Sequence, residues 1–224
     1  MTQRLHELCL YMNSIQKNQF KKLAYHGARK VLLTNFIFRA VSEGPKVPKQ
    51  IQTWRARRFD KYRFREQAAI FCYGLRSLAP RCSWAIAMWP EVQSDIDCVF
   101  RCRCPWDKEE KYKTVQLKEL VPDDVNPIAS LQDILDELDK YADDSDLAVG
   151  IYLNRDVEVH FGTLRLPKKF IGQIWLFGQD QLPGTYFLLG DLMRQWRRSQ
   201  FSHPRFAPNE SVTTWKSAED DENL

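Results

Sequence analysis

The sequence contains no long apolar run, no Cys-x-x-Cys motif and only four histidines. No segment approaches the ~18–20 consecutive apolar residues of a transmembrane helix, and polar residues follow Met1 too soon for a signal peptide. There is no Cys-x-x-Cys pair, no glycine-rich phosphate loop and no metalloprotease histidine pair. We therefore expect an intracellular, cytoplasmic protein with no membrane partner, outside the enzyme classes that depend on those motifs.

The six cysteines are too few for a disulfide framework in a chain of 224 residues. They are Cys9, Cys72, Cys82, Cys98, Cys102 and Cys104. The last three suggest a zinc site, but positions 98 and 104 of one strand lie ~20 Å apart at ~3.3 Å per residue. One ion cannot bridge that distance. We therefore interpret the cysteines as buried core thiols.

The charge of the chain is modest in total and uneven in distribution. The net charge is +4, yet residues 46–65 contain eight Lys or Arg and one acid, whereas residues 123–146 contain nine acids and one Lys. Aromatic residues interleave with the basic ones, a pattern typical of phosphate contact combined with base stacking. A solvated helix face whose aromatic residues belong to the core explains the pattern equally well. The candidate nucleic-acid contacts are Arg55, Arg57, Arg58, Lys61, Arg63 and Arg65, with Arg197 and Arg198 near the C-terminus.

Apolar periodicity predicts the order of the secondary-structure elements. A helix over the second half of 53–78 is followed by strands over 83–88, 95–104 and 113–120. A second helix is expected over 130–142, because Ser130 and Asp133 form a capping-box start. A strand over 147–153 follows it. Further strands, whose order the sequence does not determine, are predicted over 157–161, 172–177 and 185–189.

The chain divides into three predicted parts. Apolar residues at roughly helical spacing over 3–24 and 28–41 predict an N-terminal helical hairpin within residues 1–45. Turn-forming residues link it to an α/β domain over 53–206. Residues 207–224 are polar and finish acidic, so we expect a disordered acidic tail.

A predicted hairpin of residues 95–104 and 113–120 holds the candidate site. Asp95 and Asp97 alternate with apolar residues on the first strand, and Gln116 and Lys118 share the polar parity of the second. With a turn at 107–110, antiparallel pairing places Asp97 across from the region of 118–120 and leaves Asp95 past the end of the strand. We therefore prefer Asp97 and keep Asp95 as the alternative metal ligand.

The predicted order of elements over residues 59–153 is helix, strand, strand, strand, helix, strand. Asp97 lies on the second strand and Gln116-Leu117-Lys118 on the third. This order resembles the PD-(D/E)XK nuclease superfamily, whose third-strand motif is Glu-x-Lys or Gln-x-Lys. The resemblance implies an α/β (α+β) fold with a restriction-endonuclease-like αβββαβ core and a mixed sheet, here preceded by the helical hairpin and followed by extra strands. It also implies a metal-dependent nuclease that acts on DNA. Family members often add an acid from the first core helix, where Glu66 is the candidate.

The residue types suit phosphodiester hydrolysis. Asp97 offers a hard oxygen ligand for Mg²⁺, with Mn²⁺ as the alternative ion, and Gln116 offers an amide oxygen. Lys118 offers an ammonium group beside the attacking water or the developing negative charge. Because Gln116 stands where most family members have a carboxylate, fewer negative charges hold the metal and we expect weaker binding.

Three alternatives remain open. The hairpin can be an ordinary sheet surface on which Asp97 and Lys118 form a cross-strand ion pair. The protein can be a catalytically weak or inactive nucleic-acid-binding module with the same fold. It can also be a protein-interaction subunit whose acidic helix over 130–142 binds a basic partner.

Overall fold

The described residues are organised around a mixed eight-stranded sheet. A computed structural model describes residues 18–28, 30–31, 60–89, 95–107, 109–141, 143–169, 171–181, 185–194 and 197–202. The strands are β1 (His26–Gly27), β2 (Ser83–Met88), β3 (Cys98–Arg103), β4 (Lys111–Leu120), β5 (Asp144–Leu153), β6 (Ile171–Gln179), β7 (Thr185–Gly190) and β8 (Arg197–Ser202). Strands that follow each other in sequence are neighbours in the sheet, from β1 at one edge to β8 at the other.

Strand direction changes within the sheet. The order β4–β5–β6 is parallel, and the remaining neighbours in the described sheet pair antiparallel. Parallel neighbours need a long crossover connection, because the chain must return to the edge at which it started. Helix α2 (Leu131–Glu137), continued by a 3-10 turn over Leu138–Lys140, lies in the crossover from β4 to β5, and helix α1 (Asp60–Leu78) precedes β2.

The two helices cover opposite faces of the sheet. Side chains alternate along β5, so that Ala148 and Tyr152 pack with α1 while Val149 and Ile151 pack with α2. The connection from β5 to β6 also packs on the α2 face, through Val159, Phe161 and Leu164. The described residues therefore form three layers, with apolar clusters on both faces of the sheet. Besides the clusters under α1 and α2, a third one packs Phe20 on Val99 and Tyr112.

Phe71 anchors α1 to the middle of the sheet. Its ring stacks on Phe177 with centroids 5.2 Å apart, and it meets Phe100 edge-on at 5.4 Å. Such pairs contribute ~0.5–1.5 kcal/mol each beyond the area they bury. Gly150 of β5 lies against the same ring, and a Cβ at this position would approach Phe71 to 2.8 Å. Because residue 150 has no side chain, α1 can pack closely on β5.

Helix α2 begins at the capping box that the sequence predicts. The Ser130 hydroxyl accepts a hydrogen bond from the backbone N–H of Asp133, and the Asp133 carboxylate accepts one from the backbone N–H of Ser130. Leu131 and Leu135 are buried against the sheet. The α-helix ends at Glu137 and continues only as a 3-10 turn, so it is shorter than the predicted span over 130–142.

The predicted order of elements over 59–153 is confirmed, and the first strand has the predicted bounds, Ser83–Met88. The strand predicted over 157–161 is wrong. Residues 157–160 form no regular element and a 3-10 turn, Phe161–Thr163, begins at the end of the segment, because both edges of β5 are already paired, with β4 and β6. Val159 and Phe161 pack on the α2 face, whereas Val157 is exposed.

Both ends of the sheet contain strands that the periodicity did not predict. At one edge β8 pairs with β7, and Phe201 packs between Tyr73 of α1 and Tyr186. At the other edge β1 pairs with β2 at the junction between the two predicted N-terminal helices. Most of those helices, and all of the predicted tail over 207–224, lie outside the described residues.

Hydropathy and cysteine burial agree with the sequence analysis. No helix in the described ranges is long and apolar enough to cross a membrane. The five described cysteines are all buried, as predicted for core thiols. Cys82, Cys102 and Cys104 nevertheless lie close together, because antiparallel pairing of β2 with β3 brings Cys82 to the end of β3.

We expect Gly150→Ala to destabilise the protein by ~1–3 kcal/mol, because its Cβ would overlap the Phe71 ring and force α1 away from β5. Urea unfolding followed by circular dichroism measures this change. Gly162→Ala is the matched control, since a Cβ there meets no atom within 4 Å. Equal stabilities of the two variants would contradict the close packing of α1 on β5.

Candidate functional site

Gln116 and Lys118 lie on the α2 face of β4, two positions apart. Asp97 reaches the same region from the segment immediately before β3. Its backbone N–H donates to Val115 O at 2.9 Å, and its carboxylate Oδ2 accepts a hydrogen bond from Leu117 N at 2.7 Å. The carboxylate of Asp97 and the ammonium group of Lys118 interact electrostatically. The structure therefore brings the three predicted residues to one part of the sheet.

The register of the hairpin differs from the predicted one. The ladder begins with Cys98 paired to Val115, and Asp97, just before it, bonds to backbone atoms of Val115 and Leu117. The predicted turn placed Asp97 across from the region of 118–120. The difference arises because β3 ends at Arg103, before Pro105, and the connection begins earlier than expected. Because the shift leaves each side chain on the same face of the sheet, the predicted site residues stay the same and only their pairing changes.

Asp95 precedes β3 and is exposed, in agreement with its predicted position past the end of the strand. Asp97 is half-buried, and burial raises the pKa of its carboxyl group above the usual value. The hydrogen bond from Leu117 and the positive charge of Lys118 lower that pKa, but burial has the largest effect. A raised carboxyl pKa at an enclosed position is a common property of functional sites.

Tyr141 connects two of the site residues. Gln116 Nε2 donates to its hydroxyl oxygen at 3.0 Å, and Lys118 Nζ donates to the same oxygen at 2.7 Å. The Lys118 ammonium also lies 5.3 Å from the centre of the Tyr141 ring. The sequence analysis missed this residue. Its position three residues beyond Leu138, at helical spacing on the apolar stripe of α2, could have indicated that it faces the sheet.

The site offers few oxygen atoms that can bind a metal ion. Gln116 is 7% exposed, and its Oε1 is buried with no hydrogen-bond partner among the described residues. This amide oxygen and the Asp97 carboxylate can act as two ligands of a hard cation. Within the described ranges, Asp97 belongs to no group of three or more closely spaced Asp, Glu, His or Cys side chains. The residues therefore fit Mg²⁺ or Mn²⁺ only if water and substrate oxygens complete the coordination sphere, which is usual for Mg²⁺.

Glu119 forms a second polar group on the opposite, α1 face of the sheet. Its side chain is 7% exposed, and its Oε2 lies 3.2 Å from Arg63 Nε. Gln67 Nε2 and Asn154 Nδ2 donate to its two carboxylate oxygens at 3.1 Å and 2.7 Å. Arg63, a predicted nucleic-acid contact, is thus held in an ion pair at the end of the sheet. Sequence reasoning missed this network because its members come from α1, β4 and the residue after β5.

The predicted acid from the first helix lies away from the other site residues. Glu66 is on α1, which packs against the face opposite to Gln116 and Lys118, and its side chain is half-buried and engaged in other interactions. Its placement on the other face of the sheet does not favour a shared metal ion with Asp97.

Among the predicted nucleic-acid contacts whose side chains the structure describes, Arg65 is the exposed one. It lines a cleft of about 320 Å³ together with His26, Lys30 and Met88. Arg55, Arg57 and Arg58 lie outside the described residues. The side chains of Lys61, Arg197 and Arg198 are likewise outside the described part of the chain, although their backbone atoms belong to α1 and β8.

We expect Asp97→Asn to stabilise the protein at neutral pH. Because the folded-state pKa is raised, the folded protein binds this proton more tightly than the unfolded chain does. The stability that this proton provides is present at acidic pH and is lost as pH rises through the folded-state pKa. Removing the ionisable group should therefore increase the melting temperature at pH 7 and above, and change it little near pH 3. Thermal unfolding of both proteins at several pH values tests this.

Asp156→Asn, at an exposed position, controls for a general loss of negative charge. An Asp97→Asn protein that is less stable than the parent at pH 7 would contradict a burial cost for the Asp97 carboxylate.

No family model, curated protein or solved structure matches this chain.

Proposed function

We propose that this protein is a metal-dependent nuclease-like enzyme that hydrolyses phosphodiester bonds in DNA. The main supporting observation is that Asp97, Gln116 and Lys118 meet on one part of the sheet, with the Gln116 Oε1 atom buried and without a partner among the described residues. The order of elements from α1 to β5 is compatible with a restriction-endonuclease-like core of the PD-(D/E)XK type.

Each site residue has a distinct role in this proposal. The Asp97 carboxylate and the Gln116 amide oxygen would hold Mg²⁺ or Mn²⁺, and the ion would neutralise phosphate charge and activate a water molecule. Lys118 places a positive charge where the phosphate gains negative charge. Tyr141 restrains the Gln116 amide and the Lys118 ammonium through one hydroxyl, so both side chains keep a defined orientation. The hydrogen bond from Leu117 N fixes one oxygen of Asp97.

A second candidate function is a nucleic-acid-binding module without catalysis. One observation favours it: the site contributes a single carboxylate, whose charged form is disfavoured by burial, so its attraction for a divalent cation is weak. The cleft lined by His26, Lys30 and Arg65 supports binding to a polyanion in either case.

The third alternative, a protein-binding acidic helix, receives less support. Several acids of the 123–146 segment already have local roles. Asp133 caps α2, Asp136 pairs with Arg165, and Asp139 accepts hydrogen bonds from the backbone N–H groups of Lys168 and Lys169. These contacts leave less free negative charge for a basic partner.

Cleavage of DNA separates the first two functions. We expect the parent protein to cleave a plasmid or oligonucleotide in the presence of Mg²⁺ or Mn²⁺ and to lose that activity with EDTA. Lys118→Met should reduce the rate ~10²–10³-fold, because the transition state loses its positive partner. Asp97→Asn should reduce it at least as much, because the metal loses its carboxylate.

Asp156→Asn is the control for both variants. Cleavage that persists in the Asp97→Asn and Lys118→Met proteins would place the catalytic centre elsewhere. If the parent protein binds DNA but cleaves it with neither metal ion, the second function, nucleic-acid binding without catalysis, is supported instead.

Salt-dependent binding tests the basic cleft. We expect Arg65→Gln to weaken DNA binding and to reduce the slope of log K against log salt by ~0.9, the change for one lost phosphate contact on duplex DNA. Lys168→Gln is the matched control, because this exposed lysine lies in the connection from β5 to β6 and does not line the cleft. Fluorescence anisotropy at several salt concentrations measures both slopes. Equal slopes for the two variants would remove the cleft from the interface.

A further inference from the structure

Three buried cysteine side chains meet where β2 begins and β3 ends. Cys82 immediately precedes β2 and Cys104 immediately follows β3, so both adjoin the terminal pair of the ladder, Ser83 with Arg103. Cys102 lies two positions before Cys104, on the same face of β3. The three Sγ atoms all lie within 4.8 Å of one another, and those of Cys102 and Cys104 are 3.6 Å apart.

The spacing of the sulfur atoms matches a tetrahedral metal ion. With Zn–S bonds of ~2.3 Å, two thiolates on one zinc ion lie ~3.8 Å apart. The Cys102–Cys104 pair already has this separation, and the widest separation in the cluster exceeds it by only ~1 Å. Small rotations of the side chains therefore suffice to place all three sulfur atoms around one ion.

We propose that Cys82, Cys102 and Cys104 form a binding site for a soft, thiophilic cation, with Zn²⁺ as the first candidate. Thiolate ligands select such ions over Mg²⁺ or Ca²⁺. The three thiols each release a proton to solvent on binding, so one Zn²⁺ and three thiolates form a site of net charge −1. Cys104, at 8% exposure, is the most accessible of the three, and a solvent molecule on its side completes the four ligands.

This site is separate from the proposed nuclease centre. Asp97 precedes the first residue of β3, whereas Cys102 and Cys104 lie at its other end. At ~3.3 Å per residue, Asp97 and Cys102 are ~16 Å apart along the strand. The ion would join the start of β2 to the end of β3 beneath α1, in the same core as Phe71. Its effect is therefore on stability rather than on the chemistry at Asp97, and its test is independent of the nuclease assay.

Metal binding to the purified, reduced full-length chain tests the proposal. We expect one Zn²⁺ per chain after dialysis, and a rise in melting temperature of ~5–10 °C when free Zn²⁺ exceeds its dissociation constant a hundredfold. Co²⁺, used as a spectroscopic probe, should show thiolate charge-transfer absorption with an intensity corresponding to three sulfur ligands. Affinity should rise with pH, because three protons leave on binding.

The variants compare cysteines of one strand and one face. Cys102→Ala should weaken Zn²⁺ binding at least 100-fold, whereas Cys98→Ala should leave it unchanged, although Cys98 is also buried on β3. The Co²⁺ spectrum of the parent protein keeps the test valid if Cys102→Ala does not fold. Substoichiometric Zn²⁺ in the parent, a Co²⁺ spectrum without thiolate absorption, or equal losses in the Cys98→Ala and Cys102→Ala proteins would overturn the proposal.

Discussion

The strands of a parallel sheet are apolar on both faces. Both faces must therefore be covered by other parts of the chain, usually by the crossover connections. The ladder of β4, β5 and β6 imposes this requirement on the whole protein. The nineteen-residue α1 covers one face. The seven-residue α2 and the connection from β5 to β6 cover part of the other face, where Phe20 also packs on Val99 and Tyr112. Because α2 is short, Tyr141 follows it after only a 3-10 turn and contacts Gln116 and Lys118.

The polar residues of the candidate site do not stabilise the fold as their apolar neighbours do. Burial of an amide oxygen without a partner, and of a carboxylate in its charged form, both cost free energy. The Gln116 amide oxygen and the Asp97 carboxylate occupy such positions. The apolar contacts around Phe71 and within the α2 core offset that cost. Polar groups held at such a cost inside a well-packed scaffold are common at binding and catalytic sites.

The antiparallel strand β3 separates two kinds of ligand chemistry. Hard oxygen donors lie just before its first residue, at Asp97, and soft sulfur donors lie at its end, at Cys102 and Cys104. A divalent cation such as Mg²⁺ prefers the first kind and Zn²⁺ the second. The two proposed ions would therefore occupy different ends of one strand without competing for ligands.

The elements from α1 to β5 could be predicted from the sequence, because apolar periodicity and the Ser130–Asp133 capping box are local signals. That Gln116 and Lys118 share a face could also be predicted, since strand side chains alternate. Which residues meet across elements depends on the tertiary structure. The register of Asp97 depends on where the turn begins, the position of Tyr141 depends on how α2 ends, and the approach of Cys82 to Cys104 depends on β2 pairing with β3. Such contacts join residues that are distant in the chain, so no local sequence pattern predicts them.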